Sequence, residues 1–184
     1  MPYDRDGNYL SVAEAMKHWQ PVTFDVLVNT AKTYNDHVTY GQLTEAVQGT
    51  TGITYKALVQ NWVGGLLAPV FRRCMAEGLP PLTSLCVNAD GTVGKGYREV
   101  IERTGRTVPA TLDELDDIAA SDRLECYRFF GATLPPGGGE ATLTPGVREA
   151  RARKAKAEQL ERPVALCPIH NIALPATGRC DMCD

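Results

Sequence analysis

The stretch Leu82-Thr83-Ser84-Leu85-Cys86-Val87-Asn88-Ala89-Asp90-Gly91-Thr92-Val93 decides how the first part of the chain is read. Leu82 to Val87 is strand-like, Asn88 to Gly91 is a turn with glycine available for positive φ, and Thr92-Val93 starts a return strand. A β-hairpin is predicted here. Gly78-Leu79-Pro80-Pro81 sets it off from what precedes, and Gly94-Lys95-Gly96 leads into a helix from about Tyr97 to Arg103.

Upstream of the hairpin the pattern is helical. Ser11-Val12-Ala13-Glu14 is a capping box, in which the serine oxygen and the glutamate carboxylate each take a backbone N–H at a helix start. It opens a helix over about 11–20, ended by Pro21. Phe24, Leu27, Val28, Ala31 and Tyr34 then mark the apolar face of a second helix. Val38-Thr39-Tyr40 is a short β-prone run, followed by a short helix over Gly41–Val47 that Gly49 and Gly52 close. From about Tyr55 to Glu77 a helical stretch is interrupted by Gly64-Gly65 and Pro69, giving two helices or one bent helix. Helices followed by a hairpin are the element order of a winged-helix domain, assigned to residues 1–108.

Downstream, Thr111-Leu112-Asp113-Glu114 is a second capping box, opening an acidic helix within 109–133 that packs on the core or on a second copy. Leu134-Pro135-Pro136-Gly137-Gly138-Gly139 reads as a linker, and Pro145 to Arg162 as a basic helix with little apolar periodicity; together they fill 134–163. The fold class expected is mainly α with a β-hairpin (α+β): a winged-helix-like core, a helical linker and a C-terminal zinc knuckle over 164–184.

That knuckle rests on spacing. Cys167-Pro168-Ile169-His170 and Cys180-Asp181-Met182-Cys183 are two ligand pairs, each with two residues between its members, joined by nine residues that include Gly178. Such a short loop lets both side chains of a pair face one ion, and four ligands complete the tetrahedron of a structural zinc. The expected ligands are therefore Cys167, His170, Cys180 and Cys183, the expected cofactor Zn2+. A catalytic zinc needs an open position, and the deaminase pattern would place a glutamate where Ile172 stands. The remaining cysteines, Cys74, Cys86 and Cys126, are dispersed among apolar neighbours and read as free thiols.

The net charge of −3 is unevenly spread: residues 111–146 carry two basic against seven acidic side chains, and 147–163 six basic against three acidic. Only the second segment suits phosphate. No run of apolar residues is long enough to cross a bilayer, and the acidic N-terminus lacks the basic lead of a signal peptide, so a cytoplasmic protein without membrane contact is expected. No glycine-rich phosphate loop, nucleophile elbow or paired carboxylate motif is present, so an enzyme is not expected and no small-molecule substrate is evident.

Two resemblances add to this. Thr39-Tyr40-Gly41-Gln42-Leu43, Val63-Gly64-Gly65-Leu66-Leu67, and Pro81 with Asp90-Gly91 resemble, in order, motifs in the DNA-binding domain of the alkylguanine alkyltransferase and alkyltransferase-like family. Where that family has its reactive cysteine and histidine this chain has Leu82 and Thr83, and Asn61 replaces the inserted arginine. The resemblance therefore implies a winged-helix fold facing DNA with Tyr40 and the segment from Asn61, and no alkyl transfer. The last twenty residues resemble zinc-ribbon tails of short proteins from actinobacteria and their phages, which implies a phage or mobile-element setting.

The function expected is a non-enzymatic DNA-binding accessory or regulatory protein. Its DNA contacts would come from Tyr40, Asn61, Arg72, Arg73, Lys95 and Arg98 on the core, and from Arg148, Arg151, Arg153, Lys154 and Lys156 on the basic helix. The alternative is a protein-interaction adaptor that binds a host or partner protein through the winged-helix core and the knuckle; a homodimer is also compatible.

Overall fold

A computed structural model describes residues 1–161, 166–174 and 178–183. The chain divides into two compact units, Met1–Arg148 and Glu149–Asp184. Among the described residues there are six α-helices and one two-stranded sheet. No described helix is long and apolar enough to cross a membrane.

The first unit is built around α1 (Val12–Ala31), which the capping box of Ser11 and Glu14 opens. The predicted stop at Pro21 does not occur: the helix runs through it. Ala15, Trp19, Thr23, Leu27 and Ala31 recur every fourth residue and are all buried, whereas Pro21 lies on the exposed side. One continuous buried stripe, with roughly 1.5–3 kcal/mol from each large apolar side chain, outweighs the ~3 kcal/mol of an interior proline.

After α1 the chain forms β1 (Val38–Thr39) and α2 (Tyr40–Thr51). Thr39 caps α2 with Gln42 in a third capping box that fits the same pattern, masked by the expectation of a helix start at Gly41, one residue later than the observed one. Gly52 ends α2 at φ 72°, a conformation glycine adopts without strain. A 3-10 turn at Val59–Asn61 leads into α3 (Val63–Glu77), which carries Gly64-Gly65 in its first turn and Pro69 inside. Trp19 meets Trp62 with ring centroids 4.8 Å apart and donates through its indole N–H to the Ile53 carbonyl at 3.3 Å.

The predicted hairpin is not formed. Leu82–Leu85 is a 3-10 turn whose four side chains are all buried, too inward-facing for the alternation of a strand. Only β2 (Cys86–Val87) is extended, and it pairs in parallel with β1, Val38 opposite Cys86 and Thr39 opposite Val87. The turn after it does form, with Asn88 N–H donating to the Thr92 carbonyl at 2.8 Å. Val93 does not return as a strand, because its N–H goes to the Asp116 carboxylate at 2.8 Å.

α4 (Tyr97–Arg103) and α5 (Leu112–Phe129) close a second apolar cluster of Phe71, Val87, Val93, Tyr97, Ile101, Leu115 and Ala119. A polar staple crosses it: Tyr97 OH donates to Asp122 at 2.6 Å, and Arg106 grips the same carboxylate bidentately at 2.7 and 3.0 Å.

Residues 134–144, which begin with the expected linker Leu134–Gly139, lie along the first unit. Leu134 packs on the core, Arg128 donates to the Gly138 carbonyl at 3.1 Å, and Tyr34 OH both donates to the Glu140 carbonyl and accepts its N–H at 3.0 Å. Thr144 Oγ1 donates to the Gly91 carbonyl at 2.8 Å. α6 (Pro145–Glu161) begins here, with Val147 its buried residue.

Candidate functional site

In the second unit the two ligand pairs converge. Leu166 and Ala173 form an antiparallel bridge, Cys167 N–H donates to the Ile172 carbonyl and Asn171 N–H to the Cys167 carbonyl, both at 2.8 Å. Asn171 turns the chain at φ 52°. Asparagine tolerates this left-handed backbone better than most residues, and the turn places His170 over Cys167. The second pair is held by Cys183 N–H on the Cys180 carbonyl at 3.1 Å, after Gly178 at φ 69°.

His170 Nδ1 lies 3.7 Å from Cys167 Sγ, 3.5 Å from Cys180 Sγ and 3.3 Å from Cys183 Sγ, and the four donor atoms all fall within 4.8 Å of one another. One ring nitrogen carries at most one proton, so it cannot hydrogen-bond three sulfurs at once; the arrangement is a ligand set that can hold a metal ion. The His170 backbone N–H, 3.4 Å from Cys167 Sγ, holds that thiol down to about 6, whereas Cys167 beside it pushes Cys183 up to about 11. Neighbouring thiolates repel, and a cation is what lets all of them ionise together. Cys167 and Cys180 are buried and Cys183 is exposed.

The first unit holds a cleft of about 370 Å3, lined by Tyr40 from the start of α2, Val63 and Arg72 from α3, Thr83, Cys86, and Tyr97 with Arg103 from α4. Tyr40 sits there because its hydroxyl lies against Gly94, where any Cβ would collide with it. Burial pushes the Tyr40 phenol up, so it stays protonated. The Cys86 thiol is also pushed up by burial, which keeps it a poor nucleophile. Thr83 is buried, and its hydroxyl has no hydrogen-bond partner in the described protein.

No protein-family model, curated protein or solved structure matches the chain.

The residues expected to contact DNA separate into groups. Tyr40 and Arg72 line the cleft, the exposed Asn61 adjoins the lining residue Gln60, and the exposed Lys95 lies between the lining residues Gly94 and Gly96. Arg73 and Arg98 are engaged elsewhere. The Arg73 guanidinium lies 3.7 Å from the Phe24 ring centroid and pairs with Glu77 at 2.8 Å, and Arg98 donates to the carbonyls of Pro109 and Ala110 at 2.8 and 3.3 Å. The contacts with Phe24 and Pro109 were invisible in the sequence because those residues approach only through the fold, whereas Arg73 and Glu77 are four residues apart on one helix.

On α6, Arg148 belongs to the first unit, and Arg151, Arg153, Lys154 and Lys156 to the second. At 3.6 residues per turn these five positions encircle the helix rather than forming one stripe. Arg153 approaches Glu149 at 3.9 Å. The sequence reading missed Arg103, which lines the cleft while paired with Glu99 at 2.8 Å. Its place could have been anticipated only from the packing of α4 beside α3.

Proposed function

We propose that this is a non-enzymatic DNA-binding accessory or regulatory protein that carries one structural zinc ion. The observation that carries the reading is the cleft face. Arg72 and Lys95 make no hydrogen bond or ion pair among the described residues, while Arg73, Arg98, Arg103, Arg106 and Arg128 all do. Two uncommitted cations beside a cleft lined by Tyr40 and by Thr83, whose buried hydroxyl has no partner among the described residues, suit a ligand with phosphates and hydrogen-bonding edges. In the alkyltransferase-like resemblance Thr39–Leu43 opens a helix and Val63–Leu67 lies on the recognition helix; here Thr39 caps α2 and Val63–Leu67 lies on α3. Leu82 and Thr83, both buried, stand where a nucleophile and its base would be needed, and the depressed acidity of the Cys86 thiol offers no replacement. The protein therefore docks on DNA without chemistry.

Bond lengths support the zinc assignment. With Zn–S near 2.3 Å and Zn–N near 2.0 Å, a regular tetrahedron has N-to-S edges of about 3.5 Å and S-to-S edges of about 3.8 Å. The corresponding separations are 3.3–3.7 Å and, for Cys167 to Cys183, 3.6 Å. Four protein ligands fill the coordination shell, so the ion is structural.

The testing experiment is the anisotropy of labelled duplex and single-stranded DNA titrated with zinc-loaded protein at low and moderate salt. Binding should weaken steeply with salt. The double variant Arg72→Ala, Lys95→Ala should bind roughly tenfold more weakly and flatten the slope of log K against log salt by about two. No binding at micromolar protein and low salt would sink the reading.

One observation favours a second reading, a protein-interaction adaptor: the knuckle exposes Leu166, Ile169, Ile172 and Met182, with Ile169 at 76% and Met182 at 68%. A contact through those side chains would be insensitive to salt.

A further inference from the structure

The first unit contains a second, smaller recess of about 80 Å3. Its wall comes from the turn after α1 (Asn35, His37), from α5 (Arg123, Tyr127), from the segment 142–145 and from Arg148. It contains no carboxylate side chain. Arg123 is 3% exposed. Two of its nitrogens are held by the carbonyls of Ser84 and Thr142, at 3.2 and 3.4 Å. Carbonyl oxygens satisfy donors without themselves supplying a counter-charge. The carboxylates that act on Arg123, Asp116 and Asp122, are not part of the recess wall and are also held by other groups, Asp116 by Val93 N–H and Asp122 by Tyr97 and Arg106. At the mouth stands Arg148, exposed and without a side-chain partner among the described residues.

The hydroxyls in the wall do not compete for the same role. Tyr127 donates to the Asp36 carbonyl at 2.6 Å, Thr142 to the Glu140 carbonyl at 3.2 Å and Thr144 to the Gly91 carbonyl at 2.8 Å. They position the segment 142–144, and through it the Thr142 carbonyl that anchors Arg123. What remains to meet an occupant is a pair of guanidinium groups, one fixed at the inner end and one free at the mouth, with the His37 ring beside them. A fork of N–H donors fits phosphate oxygens bidentately.

We propose that this recess is an oxyanion site that takes one phosphate group, held between Arg123 and Arg148. The site shares no lining residue with the cleft proposed to face DNA, and it predicts binding of free phosphate whether or not DNA binds. The phosphate can be inorganic or the terminal group of a nucleic-acid strand, and the two sources are separable by experiment.

Calorimetric titration of the full, zinc-loaded chain with inorganic phosphate, against chloride at matched ionic strength, is the test. Wild-type protein should bind one phosphate per chain and melt at a higher temperature in phosphate than in chloride. Arg148→Ala, an exposed change that should leave the phosphate-free melt unaltered, should lower the affinity by about tenfold or more. Lysine at the same position restores charge without the fork, so Arg148→Lys should fall between the two. A preference for a 5′-phosphorylated oligonucleotide over its unphosphorylated twin, lost in Arg148→Ala, identifies a strand end as the source. Phosphate binding without that preference identifies the free anion. The proposal is overturned if wild-type protein shows no phosphate-specific heat or stabilisation, or if Arg148→Ala binds phosphate as the wild type does.

Discussion

Asp122 serves three donors at once, Tyr97 OH and both arms of Arg106, and its side chain is 9% exposed. Replacing it by alanine removes the acceptor and leaves a phenol and a guanidinium facing an empty site. Asp122→Ala should therefore lower unfolding free energy by about 2–4 kcal/mol, readable by urea titration, and a loss under 1 kcal/mol would show the staple to be dispensable. Asp90 gives a smaller, pH-dependent effect. The Thr92 hydroxyl and N–H, at 2.7 and 3.0 Å, hold its carboxyl below the ordinary value. A depressed folded-state value means that the stability it contributes is fully present above about pH 4 and is lost as pH falls through the folded value. Wild type should exceed Asp90→Asn in stability near neutrality, and the gap should narrow on acidification below pH ~4; a gap that is flat with pH would refute the assignment. Residue-scale chemistry of this kind was legible where partners are close in sequence. The Ser11–Glu14 and Thr111–Glu114 boxes and the four metal-ligand candidates were all read from spacing, because two intervening positions fix the geometry of each box and of each ligand pair. The contacts of Arg98 with Pro109 and Ala110 and of Arg73 with Phe24 were not legible, because other elements bring those partners in, whereas the Arg73–Glu77 pair is an i, i+4 spacing within α3.

At the level of elements, the instructive case is α1. A proline normally ends a helix, yet here a buried stripe on both sides of Pro21 enforces continuity. Because Pro21 itself is exposed, Pro21→Ala should stabilise the protein by about 1–3 kcal/mol, the interior-helix penalty less the entropy that proline removes from the unfolded chain. A destabilised variant would mean that the proline itself is needed for packing against α2 and α3. The hairpin misreading has the opposite origin. Two-residue strands carry almost no periodicity, and β1 and β2 find each other across the whole of α2 and α3. Nothing local in Leu82–Val87 distinguishes a buried 3-10 turn and a parallel pair from a hairpin arm. The cleft was equally hidden, since its lining is gathered from Tyr40 to Arg103.

For the whole molecule, the division at Arg148 and Glu149 predicts that metal and core stability are separable. A knuckle with two buried cysteines and little other core among its described residues would depend on the proposed ion to fold. Chelation should make Cys167, Cys180 and Cys183 available to a thiol reagent. Cys74, Cys86 and Cys126, buried and with their thiols pushed up, Cys126 to about 12, should stay unlabelled until the first unit unfolds. Mass spectrometry of labelled protein counts the two classes; labelling of all six on chelation alone would contradict separability. Acid should release the ion as well, since protons compete for the same sulfur and nitrogen atoms.

The packed pair of Trp19 and Trp62 has an optical consequence. They are the chain's only tryptophans, both buried, with ring centroids 4.8 Å apart. Rings so close couple their transitions, so the near-ultraviolet circular dichroism of this protein should be dominated by that pair and their emission should lie to the blue of solvent-exposed indole. Both signals then track the first unit alone, and a spectrum that looks native says nothing about whether the knuckle has lost its metal.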